Sequence, residues 1–152
     1  EILPNCGLTS DMIAGFCTET EEEHQDTLTL MDYSGFDMSY MYFYSERPGT
    51  LAARRFKDDI SLEDKKRRLQ EIVDKQGELS TKSNLNDIGK TFKILIETRS
   101  KRDANDWTGR TSKNKITVFP KSNESQKPGD YVWVKIQDCT RATLLGTIVD
   151  HP

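Results

Sequence analysis

Two stretches of this chain carry residue types able to act on a ligand. The first is Ser45-Glu46-Arg47-Pro48-Gly49-Thr50, which follows the apolar, aromatic run Met41 to Tyr44. A hydroxyl, two opposite charges and a Pro-Gly turn beyond a buried parallel strand stand where α/β proteins bind polar ligands. Pro48 removes a backbone donor and Gly49 permits a positive φ, so the turn needs no side chain to hold it. The same six residues serve equally well as a plain strand-to-helix loop with Glu46 and Arg47 solvated. The second stretch is Tyr131 to Ile136. With Val132, Val134 and Ile136 inward, Tyr131, Trp133 and Lys135 share the wet face of one strand, the combination that base stacking and phosphate contact require. Trp107, Arg110, Lys115 and Lys121 are expected to extend that surface. For each tryptophan, covering the barrel's open end or docking on the first region is an equal alternative.

Other reactive types read as structural. His24 lies one turn from Leu28 on the inward side of a helix, with no second ligand within a turn or two, so it reads as a packing residue rather than a base or metal ligand. The basic run Lys65 to Arg68 reads as a solvated helix face, partly paired with Glu63, Asp64 and Glu71, ahead of an RNA-facing patch. Cys6, Cys17 and Cys139 are odd in number and widely spaced. They imply a reducing compartment, no disulfide framework and no zinc or iron-sulfur spacing.

The elements that must position these residues follow from periodicity. Leu8 to Phe16 reads as a short buried strand ending at Gly15, where another backbone or a flat ligand can approach. Thr18 and Glu21 fit a capping box that opens a helix to about Tyr33, closed by Gly35. Phe36 to Ser45 is a second strand, so strand, helix and strand form a βαβ unit with parallel pairing. Leu51 to Lys57 gives a helical turn. A helix capped by Ser61 and Asp64 runs to about Ser80, with Leu62, Leu69, Ile72, Val73 and Leu79 on one face, and Ser83 to Asp87 is the linker. From Ile88 the period changes to 2: Phe92 to Glu97, Asn105 to Arg110, Lys115 to Val118, Tyr131 to Ile136 and Ala142 to Val149 read as strands. About five short antiparallel strands without a helix predict a small OB-like barrel. The fold class expected is therefore α+β, a βαβ unit with its following helix over residues 1–85 and the barrel over 86–152.

Bulk properties agree with two small soluble units. The chain has 152 residues, 34% hydrophobic and 31% charged, and no apolar run of membrane-spanning length. The net charge of -3 conceals an asymmetry: residues 1–85 hold 10 Lys/Arg against 17 Asp/Glu, and residues 86–152 hold 12 against 8. The basic second half suits a phosphate-rich partner. There is no initiating Met and no signal-peptide pattern, so Glu1 reads as a boundary inside a longer protein. A two-stranded unit buries too little apolar surface to stand alone, which predicts further strands upstream, support from the second half, or self-association.

Two sets of residues carry a resemblance. Asp11-Met-Ile-Ala-Gly-Phe-Cys-Thr-Glu-Thr20 with Tyr44-Ser-Glu-Arg-Pro-Gly-Thr50 resembles the late strands of the radical-SAM domain in tRNA methylthiotransferases of the MiaB type. Trp107-Thr-Gly-Arg-Thr with Asn114, Val118-Phe119 and Gly129-Asp130-Tyr131-Val132 is similar to their C-terminal TRAM domain, a small RNA-binding barrel. The resemblance implies a cytoplasmic transferase that places a methylthio group on carbon 2 of an isopentenylated adenosine next to the tRNA anticodon, using S-adenosylmethionine and two 4Fe-4S clusters. It implies that residues 1–85 are a partial β/α half-barrel, that Ile13, Gly15, Phe16 and Glu19 lie against the adenosyl group, that Tyr44, Ser45 and Arg47 close the pocket, and that the barrel holds the anticodon stem-loop. Cys17 stands where the family usually has proline. The CxxxCxxC run that holds the radical-forming cluster is absent, so no catalytic residue, cluster or metal is expected in this chain, and it is expected to be inactive alone. A non-catalytic RNA-binding module, a protein-interaction barrel and a sister enzyme acting on a ribosomal protein are the alternative readings.

Overall fold

The computed structural model describes residues 6–123 and 125–150, which fall into two compact units, one containing residues 8–79 and the other residues 6–7 and 80–150. In the first unit, β1 (Thr9–Ala14) pairs in parallel with β2 (Met38–Phe43) through α1 (Glu21–Ser34), and the register runs from Thr9 opposite Met38 to Ala14 opposite Phe43. The short α2 (Leu51–Arg55) and the long α3 (Leu62–Leu85) follow. Alternation along the strands sends Met12 and Ala14 to one face, where they pack with Met31 of α1 and Ile72 of α3; Leu28, Leu69 and Leu79 flank them. The opposite face carries Asp11, Ile13, Tyr40 and Tyr42, all exposed. A strand read as buried on both sides is thus covered on one.

The start of α1 corrects the sequence expectation by one half-turn. Its cap is Thr20, whose hydroxyl accepts from the Glu23 backbone N–H at 3.2 Å while the Glu23 carboxylate accepts from the Thr20 N–H at 2.7 Å. Thr18 is unavailable because it sits in the left-handed region at φ 69° and donates its N–H to Asp59 Oδ1 at 2.8 Å. Glu21 is taken by Arg67. Gly35 closes the helix as expected, at φ 61° with its N–H on the Met31 carbonyl. Ser61 caps α3, accepting from the Asp64 N–H at 3.0 Å.

The predicted linker does not exist as such. α3 continues to Leu85, and its last turn belongs to the second unit: Asn84 Nδ2 donates to the Thr140 and Arg141 carbonyls at 3.1 and 3.3 Å. In that unit, β3 (Thr91–Arg99), β4 (Asp106–Arg110), β5 (Ile116–Pro120), β6 (Tyr131–Cys139) and β7 (Leu144–Val149) close into a barrel of order β3-β4-β5-β7-β6. Four of the five pairings are antiparallel and β5-β7 is parallel, where all-antiparallel strands were expected. Topology requires this, because strand direction cannot alternate around a closed ring of odd number. The core is Ile94, Ile96, Trp107, Phe119, Val134, Ile136 and Leu144. Closure brings backbones very near Gly109, where a Cβ would stand 2.2 Å from the Leu95 carbonyl oxygen.

Candidate ligand cleft and nucleic-acid face

The open face of the β1-β2 pair continues into a cleft of about 800 Å³. Its floor is Asp11, Ile13, Tyr40 and Tyr42, and its rim is Tyr44, Ser45, Arg47, Thr50 and Ala52, so the strand ends and residues on both sides of the Pro-Gly turn line it together. Tyr40 and Tyr42 were not expected in the site. Their signal was present in the alternation of MSYMYF, in which Ser39 and Met41 turn toward the helices and the two tyrosines turn away. Tyr44 is the most enclosed member. Its ring meets Phe16 edge-on at 5.0 Å between centroids, and Lys65 Nζ lies 5.2 Å from its centroid. Burial, and then the neighbouring Cys17 thiol, push its phenol above the ordinary value.

Three residues expected against a ligand are occupied otherwise. Gly15 sits at φ +69°, and a Cβ there would stand 2.4 Å from Lys65 Cγ. The close approach its lack of a side chain permits is that of the Lys65 stem. Its N–H donates to Glu19 Oε2 at 2.7 Å, and the same carboxylate receives Arg68 Nη1 at 2.7 Å with the arginine side chain only 7% exposed. Glu19 therefore fastens α3 to the end of β1. Phe16 packs on Tyr44 and Phe56 and lies outside the cleft lining. The basic run of α3, read as solvated, is half inside: Lys65 is buried with Asp58, its Nζ 2.6 Å from Oδ2, and Arg68 with Glu19, whereas Arg67 is exposed and bridges Glu21 and Glu71 at 2.7 Å each.

His24 is fully buried, with Nε2 2.7 Å from Glu71 Oε2, a packing and hydrogen-bonding role. Among the described residues, Glu21, His24 and Glu71 are the one trio of candidate ligand groups within 4.8 Å, and the Arg67 guanidinium stands between the two carboxylates. That donor set does not fit an iron-sulfur cluster, which is held by convergent thiolates. Cys6 is exposed, Cys17 buried and Cys139 half-buried, and none belongs to that trio.

On the barrel, β3 and β6 lay a stripe of rings and amines along the outside. Lys93 is opposite Trp133 and Thr91 is opposite Lys135 in the register, and Lys93 Nζ stands 5.0 Å from the centroid of the exposed Tyr131 ring. Trp133 is half-buried and Lys135 exposed. Lys93 was missed, although it alternates with Phe92 and Ile94. Trp107 and Lys115 leave this surface. The Trp107 ring is 4% exposed in the core, opposite Phe119, with Nε1 donating to Gln126 Oε1 at 3.3 Å and Lys121 Nζ 4.9 Å from its centroid. Lys115 reaches inward to Ser83 Oγ at 2.8 Å and Asp87 Oδ2 at 2.6 Å. Burial opposes ionisation of Asp87, but bonds from Lys115 and then Lys90 hold its carboxyl below the usual range. Arg110 is half-buried and tied to Glu97 at 3.1 Å and Asn114 Oδ1 at 2.9 Å.

A small closed barrel with a cationic, aromatic strip, following a βαβ unit with an open cleft, defines a two-part α+β chain whose barrel is of a kind that can carry nucleic acid on a strand face. Residues 86–149 match the TRAM domain. Over 144 residues, 95% of the chain, it is 58% identical to the tRNA-2-methylthio-N(6)-dimethylallyladenosine synthase of Amoebophilus asiaticus, covering 29% of that protein. The synthase of the same name from Christiangramia forsetii is 54% identical over 96% of the chain and 30% of its own length, and that from Porphyromonas gingivalis 45% identical over 99% and 32%. Along nearly its whole length the chain is similar to tRNA methylthiotransferases of the MiaB type, and it spans roughly a third of the length of these curated relatives.

Proposed function

We propose that this chain is the C-terminal part of a cytoplasmic radical-SAM enzyme that methylthiolates carbon 2 of N6-isopentenyladenosine beside the tRNA anticodon. In the longer protein the open face of β1-β2 is the inner wall of a larger barrel. Ile13, Tyr44, Ser45 and Arg47 face the adenosyl part of S-adenosylmethionine or the substrate base. The chemistry of the lining suits a nucleoside: exposed phenol rings offer stacking, Asp11 and Ser45 accept hydrogen bonds, and Arg47 offers a cation to a carboxylate or phosphate. S-adenosylmethionine and the iron-sulfur clusters supply the radical and the sulfur, and the cluster ligands belong to parts of the protein outside this chain. This chain's own contribution is to bind, orient and exclude water. The Tyr131, Trp133, Lys135 and Lys93 strip takes the anticodon stem-loop by stacking and phosphate contact.

The observation that supports this reading most is the convergence of the Ser45-Arg47 turn on the aromatic cleft, in a chain with relatives named for this reaction. It is tested in the full-length enzyme with Ser45→Ala and Arg47→Ala. Turnover is expected to fall on the order of a hundredfold, with tRNA affinity kept. Turnover unchanged by both substitutions would overturn the assignment of the cleft.

A further inference from the structure

The first unit carries the acidic half of the chain, yet its cleft has a cationic arm. Residues 47–57 contain Arg47, Arg54, Arg55 and Lys57 and no carboxylate, within a half that holds 10 Lys/Arg against 17 Asp/Glu. All four are exposed. Elsewhere in this unit every cation but the exposed Lys66 is engaged: Lys65 by Asp58, Arg67 by Glu21 and Glu71, Arg68 by Glu19, Lys75 by Asp32. Among the described residues the arm's four cations have no carboxylate within ion-pair distance. Arg54 is instead drawn back over its own turn, with Nη2 donating to the Gly49 carbonyl at 3.1 Å and Nε to the Thr50 carbonyl at 3.4 Å, which leaves the N–H groups of Nη1 without a partner among the described residues. The arm is also fixed in place by the cleft itself, since Arg47, Thr50 and Ala52 are part of the lining. Thr50 caps α2 by accepting from the Ala53 N–H and donating to the Arg47 carbonyl at 2.8 Å.

We infer that this arm is a second RNA-binding surface, which takes the phosphodiester backbone of a single-stranded loop whose unstacked base enters the cleft between Tyr40 and Tyr42. Rings in a concave site with the unpaired Arg47 guanidinium on its rim, followed closely in the chain by Arg54, Arg55 and Lys57, match the two needs of an extruded nucleotide, a π-face for the base and cations for flanking phosphates. An acidic protein segment would use the arm's charge but would leave the exposed rings without a partner of matching shape. The inference rests on the RNA reading above and adds to it: grip is divided between the barrel strip and a rim next to the cleft. Double-helical RNA is excluded as the occupant because its bases are not free to enter a cleft.

The experiment measures binding of a fluorescein-labelled RNA hairpin with an adenosine-rich loop to the 152-residue chain, across a salt series. The triple variant Arg54→Gln/Arg55→Gln/Lys57→Gln is compared with Lys93→Gln/Lys135→Gln on the barrel. None of the five positions packs in a core. The arm variant is expected to weaken hairpin binding about tenfold at low salt and to reduce the slope of log affinity against log salt by about 2, at ~0.7 per phosphate contact on a single strand. Parent-like affinity and slope in the arm variant would overturn the inference while leaving the barrel reading intact if the barrel variant alone weakens. Loss in the arm variant alone would uphold the inference and overturn the barrel reading. Equal weakening toward a fully paired RNA duplex, or toward polyglutamate, would also overturn it, marking a general anion surface. Should the triple variant lose α2 by circular dichroism, Arg55→Gln alone, at a side chain with no hydrogen-bond partner among the described residues, carries the same test with about one third of the slope change.

Discussion

At the scale of residues, the chain's ionic groups divide by what they face rather than by what they are. Lys115 and Asp87 illustrate it: side chains 9% and 5% exposed, 2.6 Å apart, they join the end of α3 to β5. Asp87→Asn removes the carboxylate facing this buried ammonium and is expected to destabilise the barrel by about 3–5 kcal/mol. Asp87→Asn with Lys115→Met removes both charges and is expected to recover most of that loss, as read from urea unfolding of the two variants. Trp107 and Lys115 were expected on a wet surface, and the reason they are not is local. The strand Asp-Trp-Thr-Gly-Arg has no apolar alternation to fix its phase, and only pairing of Trp107 with Phe119 turns the ring inward. Lys115 precedes its strand, and nothing nearby in the sequence names Asp87 as the partner.

At the scale of elements, ends matter more than middles. Both Thr18-Glu21 and Thr20-Glu23 satisfy the capping-box spacing, and the choice falls to contacts far away in sequence: Asp59 holds the Thr18 N–H, and Arg67 holds Glu21. Thr20→Ala is accordingly expected to cost about 1 kcal/mol of stability. Thr18→Ala, which removes no hydrogen bond of a cap, is expected to cost less than about 0.5 kcal/mol. Reversal of that order in thermal unfolding would reassign the cap. The basic run of α3 follows the same logic. Its period places Lys65 and Arg68 on one face and Lys66 and Arg67 on the other, so adjacent residues of like charge have opposite fates. Arg68 with Glu19 and His24 with Glu71, each with one side chain almost wholly buried, clamp α3 to the end of β1 and to α1.

At the scale of the whole molecule, the carboxylates set a pH window. The Glu21 carboxyl is lowered to about 2 by hydrogen bonds from Arg67 and Gln25. Glu71 is lowered against its burial by bonds from His24 and Arg67, and Asp87 by Lys115 and Lys90. Each has a folded pKa below its unfolded one, so each contributes stability that is complete above the unfolded value and lost as pH falls through the folded value. The melting temperature is expected to hold from pH 7 to about 5 and to fall from about 4 toward 2. A melting temperature flat to pH 2 would mean that these pairs contribute nothing. The charge contrast between the halves works at the same scale, where a cationic barrel and a cationic arm on an acidic unit set where a polyanion can approach.

What the sequence determined by itself was the order of elements, because hydrophobic period is a local property. The period of 3.6 through Leu69, Ile72 and Leu79 and the period of 2 through Phe92 to Glu97 needed no distant contact to be read. The Ser45-Arg47 turn was likewise legible as a strand-end site. Tertiary structure alone decided which of the charged and aromatic residues are surface and which are interior. A lysine stem can cross Gly15, and a tryptophan can face either side of a short strand. Only the partner supplied by folding, Asp58 for Lys65, Asp87 for Lys115 and Phe119 for Trp107, offsets the cost of burying it in one place and not the other.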